Sequence, residues 1–207
     1  MRTSAKLGLT AFMAALLLAS AIGTASARSF SITSQTIRAT YRRLEFAPEF
    51  PGPVVSCPVT LEGSFHSRSF AKVRSTLIGA ITRAAAREAS CTNGRVILES
   101  LPWHLTYESF TGLLPNITTL QVLVSRFRLT LSVSARVCTY GTATDNLTFR
   151  AVVNGSAEFT ELLQVEGRNR FNLVEGFCNG PGSLAASIGE GAITALNAST
   201  RIRLTLI

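Results

Sequence analysis

Side chains able to do acid–base chemistry are few in this chain. It holds two histidines, His66 and His104, and a single aspartate, Asp145. A histidine serves a hydrolase when a carboxylate fixes its tautomer and raises its basicity. Two pairings can be drawn, Glu62 with His66 and Glu108 with His104, each on one face of an extended stretch. Positions four apart on a strand lie about 13 Å apart, so a working pair must be completed across strands. These four residues are the candidate catalytic groups; the plainer reading is that both histidines are solvated or structural. No G-x-S-x-G elbow, H-E-x-x-H zinc motif, phosphate loop or dinucleotide fingerprint is present.

The aromatic segment Leu101-Pro-Trp-His-Leu-Thr-Tyr-Glu-Ser-Phe-Thr-Gly112 carries the candidate ligand-binding residues Trp103, Tyr107 and Phe110. Such rings stack on sugar faces or line apolar pockets. Strict alternation places Trp103 and Tyr107 on a core face with Leu105. It leaves Phe110 on the opposite face with His104 and Glu108.

Cys57, Cys91, Cys138 and Cys178 are separated by far more than the two to four residues typical of paired metal ligands. Whether they are thiols or bridges depends on the compartment, and the N-terminus bears on that. Arg2 and Lys6 precede an apolar run from Leu7 to Ala19, and small residues follow as far as Ala25-Ser26-Ala27. A positive start, a short apolar core and small residues before the cut make Met1–Ala27 a secretory signal peptide. The run is shorter than the roughly 20 apolar residues of a membrane span. Arg28–Ile207 is then expected as a single secreted or envelope domain, with no integral membrane segment after cleavage. Four cysteines in an exported chain read as two disulfides. Three pairings are possible, and sequential pairing, Cys57–Cys91 and Cys138–Cys178, closes one structural unit each. Bridged cysteines leave no thiolate for a metal, so no metal and no cofactor is expected.

The elements that must position these residues are mostly strands. Val59, Leu61 and Phe65 alternate with polar neighbours, as do Phe127, Leu129, Leu131 and Val133, and the C-terminal Arg201-Ile-Arg-Leu-Thr-Leu-Ile207. A period of two marks strands with one buried face. Phe70, Val73, Leu77, Ile81 and Ala84 instead recur at three- and four-residue steps, which predicts one amphipathic helix over residues 68–89. The expected fold is therefore a β-rich α+β domain, an antiparallel β-sandwich or barrel with that helix packed on it. The basic face of the helix allows peripheral membrane contact, although docking on the domain's own sheet explains its apolar face better.

Twenty Lys and Arg against 12 Asp and Glu give a net charge of +8. Loss of Arg2 and Lys6 with the signal leaves +6, carried by scattered arginines. No basic tail is present, so nucleic acid is not an expected partner. The segments Cys57-Pro-Val-Thr-Leu-Glu-Gly-Ser-Phe65, Leu101–Gly112 and Leu114-Pro-Asn-Ile117 together resemble a pattern in uncharacterised exported bacterial proteins. The resemblance implies a bacterial envelope or extracellular setting and carries no activity. These readings favour a non-catalytic binding module for an apolar ligand, a glycan or an envelope partner. A secreted hydrolase with a His/Glu pair and a structural cell-surface subunit are the alternatives.

Overall fold

A computed structural model describes residues 29–48, 53–141, 145–164, 169–178, 180–186 and 189–207. The expected signal peptide, Met1–Ala27, lies outside the described residues. In chain order the strands are β1 (Ser29–Ile32), β2 (Thr36–Pro48), β3 (Val55–Phe65), β4 (Ser69–Ala71), β5 (Leu77–Ala86) and β6 (Arg95–Glu99). There follow β7 (Trp103–Leu113), β8 (Asn116–Ser125), β9 (Arg128–Val133), β10 (Arg136–Tyr140), β11 (Asn146–Val153) and β12 (Phe159–Gln164). The last are β13 (Arg170–Phe171), β14 (Leu173–Gly176), β15 (Gly182–Ala185), β16 (Gly191–Thr194) and β17 (Leu204–Leu206). Among the described residues the only helical turn is a 3-10 turn at Glu88–Ser90.

Seven strands, β2, β3, β5, β7, β8, β11 and β12, pair in sequence order as an antiparallel meander within a ten-stranded sheet. The strands between them step aside. Strands β17, β1 and β4 form one small sheet, and β14, β10, β9 and β6 another. The long β2 closes one side by pairing twice along its outer edge. Its Arg38–Tyr41 half meets β16, and its Glu45–Pro48 half meets β15. Strand β16 also lies alongside β12, the far end of the meander, with no ladder between them among the described residues. A Cβ on Gly191 of β16 would stand 2.6 Å from the Leu162 carbonyl oxygen of β12. The sheet is thus a curled, open half-barrel, and the two small sheets lie against it around one continuous apolar core.

Alternation holds most cleanly in β3, where Val55, Cys57, Val59, Leu61, Gly63 and Phe65 are buried and the residues between them are not. Two aromatic clusters occupy the core. In one, Phe30 of β1 meets Phe70, Tyr107 and Phe110 at 5.6, 6.0 and 5.7 Å between centroids, and Phe65 stacks on Phe70. In the other, Phe127 meets Trp103 at 4.9 Å and Phe171 at 5.5 Å, and Phe171 meets Tyr140. Burying each ring contributes about 1.5–3 kcal/mol.

The expected helix over residues 68–89 does not form, and the domain is nearly all-β rather than α+β. Residues 69–71 are β4, residues 77–86 are β5, and β5 is hydrogen-bonded between β3 and β7. Val73 and Leu77, two of the supposed apolar stripe, are 60% and 43% exposed. The misleading spacing has a physical source. Strand β5 carries irregularities at Ile78 against β7 and at Thr82 against β3. Each inserted residue lengthens one period of two into a step of three. Ile78, Ile81 and Ala84 therefore all turn inward at helical-looking spacing. The helix preference of Ala80, Ala84, Ala85 and Ala86 is overridden by ladders on both sides.

Both disulfides are present, Cys57–Cys91 with Cα atoms 4.2 Å apart and Cys138–Cys178 at 5.9 Å. The first ties β3 to the segment after the 3-10 turn rather than to a helix. The second ties β10 to the chain beyond β14.

Candidate functional site

Among the described residues neither histidine is hydrogen-bonded or ion-paired to a carboxylate. Glu62 accepts from Arg38 Nε at 2.9 Å and from Arg83 Nη1 at 3.2 Å, its direct cross-strand neighbours on β2 and β5. Both of its oxygens are occupied. His66, one residue beyond β3, is exposed, and its backbone N–H donates to the Ile78 carbonyl at 2.9 Å. Glu108 is buried and ion-paired with Arg74. His104 Nε2 lies 3.4 Å from Arg126 Nη1. Among the described residues no three His, Cys, Asp or Glu side chains are grouped to hold a metal ion, and no helix is long and apolar enough to cross a membrane.

The aromatic candidates are part of the core. Trp103 is 2% exposed and donates its indole N–H to the Glu99 carbonyl at 2.7 Å. Tyr107 is buried against Phe30 and Phe70. Phe110 also turns inward, because Glu108 is an extra residue in the ladder between Tyr107 and Ser109 and shifts the alternation by one. Beside Phe65 of the first cluster the half-barrel encloses a cavity of about 60 Å³. Its lining is wholly apolar and includes Leu61, Phe65, Leu105, Leu120, Phe149 and Ile193. Drug-sized ligands occupy pockets of about 300–1,000 Å³. The interior is far below that.

The larger concavity lies on the opposite, outer face of β2, β3 and β5. Three rows of side chains run across these strands. Arg38, Glu62 and Arg83 form the first, and Thr40, Thr60 and Ala85 the second. Arg42, Pro58 and Arg87 form the third, and the Arg87 N–H donates to the Pro58 carbonyl at 2.9 Å. The middle row is short, so it makes the floor of a trough of about 560 Å³ between two arginine-bearing walls. Successive rows are about 7 Å apart and the walls about 13 Å. A second hollow of about 360 Å³ shares Arg42 and Pro58 and continues past Arg43, Ser56 and Asn93.

Pro58 organises the third row. Its carbonyl accepts from the Arg87 N–H, so the N–H it lacks is on the β5 side, where the β3–β5 ladder ends at Ala86. Tyr41 pairs with Val59 and Leu44 with Cys57, which leaves Arg42 and Arg43 together opposite Pro58 in a bulge. Both arginines are exposed, and β2 changes partner from β16 to β15 at this point. Arg43 pairs with Glu45 at 2.8 Å. Arg42 and Arg87 make no side-chain hydrogen bond or ion pair among the described residues. Three arginines, Arg42, Arg83 and Arg87, therefore line the trough with one carboxylate, Glu62, which Arg38 also pairs from beside it.

Sequence reasoning missed this site because its cations are distant in the chain. A proline inside the alternating run Val55–Phe65 was the available signal of a bulge.

No protein-family model matches the chain, and no curated protein or solved structure matches it. The chain forms a disulfide-containing β half-barrel with only a small apolar cavity inside and a polar trough on its outer face.

Proposed function

We propose that this chain is an exported, non-catalytic binding domain that engages a glycan or other envelope partner on the outer face of β2, β3 and β5. One observation carries the reading: the outer trough is about 560 Å³ and open, whereas the interior holds only about 60 Å³. The signal-like N-terminus, the two disulfides and the resemblance to exported bacterial proteins support action outside the cytoplasm. The lack of a histidine–carboxylate hydrogen bond among the described residues argues against the hydrolase alternative.

The test is co-sedimentation of the purified, oxidised protein with insoluble cell-envelope polysaccharide, alongside native mass spectrometry of the same protein. Binding to the polysaccharide that is lost when Thr60→Trp fills the trough floor is the expected result. A co-purifying lipid, with no polysaccharide binding, would place the ligand in the interior and sink the proposal. Export itself is checked by N-terminal sequencing of secreted protein, expected to begin at Arg28.

A further inference from the structure

Resting on the outer-face reading, we infer that the trough takes an acidic polysaccharide, its anionic groups held by Arg42 and Arg87 on one wall and by Arg83 on the other. The argument starts from the floor. Thr40, Thr60 and Ala85 offer two hydroxyls and a methyl and no aromatic ring. A neutral sugar is normally gripped by stacking on a ring, and single-stranded nucleic acid by stacking of its bases. This trough has no such platform: Tyr41 borders it but is only 3% exposed, its ring packed against Gly191.

The walls supply the opposite chemistry. Guanidinium groups present paired N–H donors that match carboxylate, sulfate and phosphate oxygens. Glu62 already satisfies Arg38 and Arg83 in part, at 2.9 and 3.2 Å, and holds Arg83 over one rim. Arg42 and Arg87 flank Pro58 on the other rim with no acidic partner among the described residues. The bulge keeps Arg42 pointing outward on a strand buried on both sides of it in sequence, at Tyr41 and Leu44. Two cationic rims about 13 Å apart suit a chain molecule lying between them with charged groups on both sides. The open, elongated continuation past Arg43 and Ser56 extends the path beyond one sugar unit.

The experiment titrates the oxidised protein with fluorescently labelled polygalacturonate, dextran sulfate, neutral dextran and single-stranded oligothymidylate, at low and high salt. Expected are binding to the two acidic polysaccharides that weakens with salt, and no comparable binding to dextran or oligothymidylate. Arg42→Ala/Arg87→Ala should weaken binding about a hundredfold, roughly tenfold for each charge-assisted contact. Arg42→Lys/Arg87→Lys should recover only part of it. Arg201→Ala/Arg203→Ala, remote from the trough and paired with Glu158, should bind as the parent does. Far-UV circular dichroism establishes that each variant is folded.

Unchanged affinity in Arg42→Ala/Arg87→Ala, or an equal loss in Arg201→Ala/Arg203→Ala, overturns the inference. Equal binding of oligothymidylate overturns the choice of polysaccharide. If dextran binds as well as the acidic polymers and Thr60→Trp abolishes it, the charge inference fails and the outer-face reading stands. If Thr60→Trp leaves every polymer bound, the outer-face reading falls as well.

Discussion

Trp103 shows how a residue suited to binding can be committed to packing. Its ring lies 4.9 Å from Phe127 and its N–H is spent on the Glu99 carbonyl. Trp103→Phe removes that donor and leaves a small void, at a cost of about 1–3 kcal/mol, read from urea denaturation. Because it is the only tryptophan, its native emission should be blue-shifted and move to the red on unfolding. The three tyrosines make a pH prediction. Burial raises the pKa of Tyr41, Tyr107 and Tyr140 above that of a free phenol, and Glu161 and Glu108 add to the shift at Tyr41 and Tyr107. The Tyr41 and Tyr140 hydroxyls are buried without a hydrogen-bond partner among the described residues. The folded state holds these protons more tightly than the unfolded state does. Their contribution to stability is therefore complete below a pH of about 10 and is lost as pH rises through the folded values. Urea midpoints at about pH 8 and about pH 11, with tyrosinate absorbance followed in parallel, check this; a flat profile would contradict it.

At the scale of elements, β5 depends on glycine to pass closely between its neighbours. A Cβ on Gly63 would stand 2.9 Å from the Ile81 Cα, and one on Gly79 would stand 2.9 Å from the Phe65 Cα. Both contacts are with backbone, which cannot rotate away. Gly63→Ala and Gly79→Ala should each destabilise the domain by about 1–3 kcal/mol in chemical denaturation. A helical β5 segment would be stabilised by Gly79→Ala, so the sign of that effect separates the two conformations. Far-UV circular dichroism should likewise show a β-sheet spectrum without the double minimum of helix. The bulges at Ile78, Thr82, Glu108 and Arg42–Arg43 share one lesson. Each re-aims the residues after it, so alternation read straight through the strand assigns Phe110 to the wrong face.

At the scale of the whole molecule, the disulfides anchor a fold whose partners are far apart in sequence. Cys138–Cys178 spans 40 residues and Cys57–Cys91 spans 34. Closing loops of this size stabilises a domain by about 2–5 kcal/mol. Replacing Cys138 and Cys178 together by alanine should lower the unfolding free energy by that amount, and reductant should reproduce the loss in the parent protein. The curl of the main sheet sets the functional geometry. Its concave face is filled by two aromatic clusters, which leaves the convex face of β2, β3 and β5 as the larger hollow among the described residues.

The residue order alone determined the predominance of strands and the expectation of two disulfides, because these depend on local pattern and on an even set of well-separated cysteines; among the three possible pairings the tertiary structure decided the sequential one. Burial of Trp103 and Tyr107 followed from the same period of two. Where the period was interrupted, sequence reading failed: at 68–89, at Phe110 and at the arginine trough. An inserted residue in a ladder is defined only relative to the strand beside it. Arg42, Arg83 and Arg87 meet because β2, β3 and β5 are neighbours in one sheet. Strand neighbourhood and register are set by long-range pairing and core packing, so only the tertiary structure decided where the cations converge.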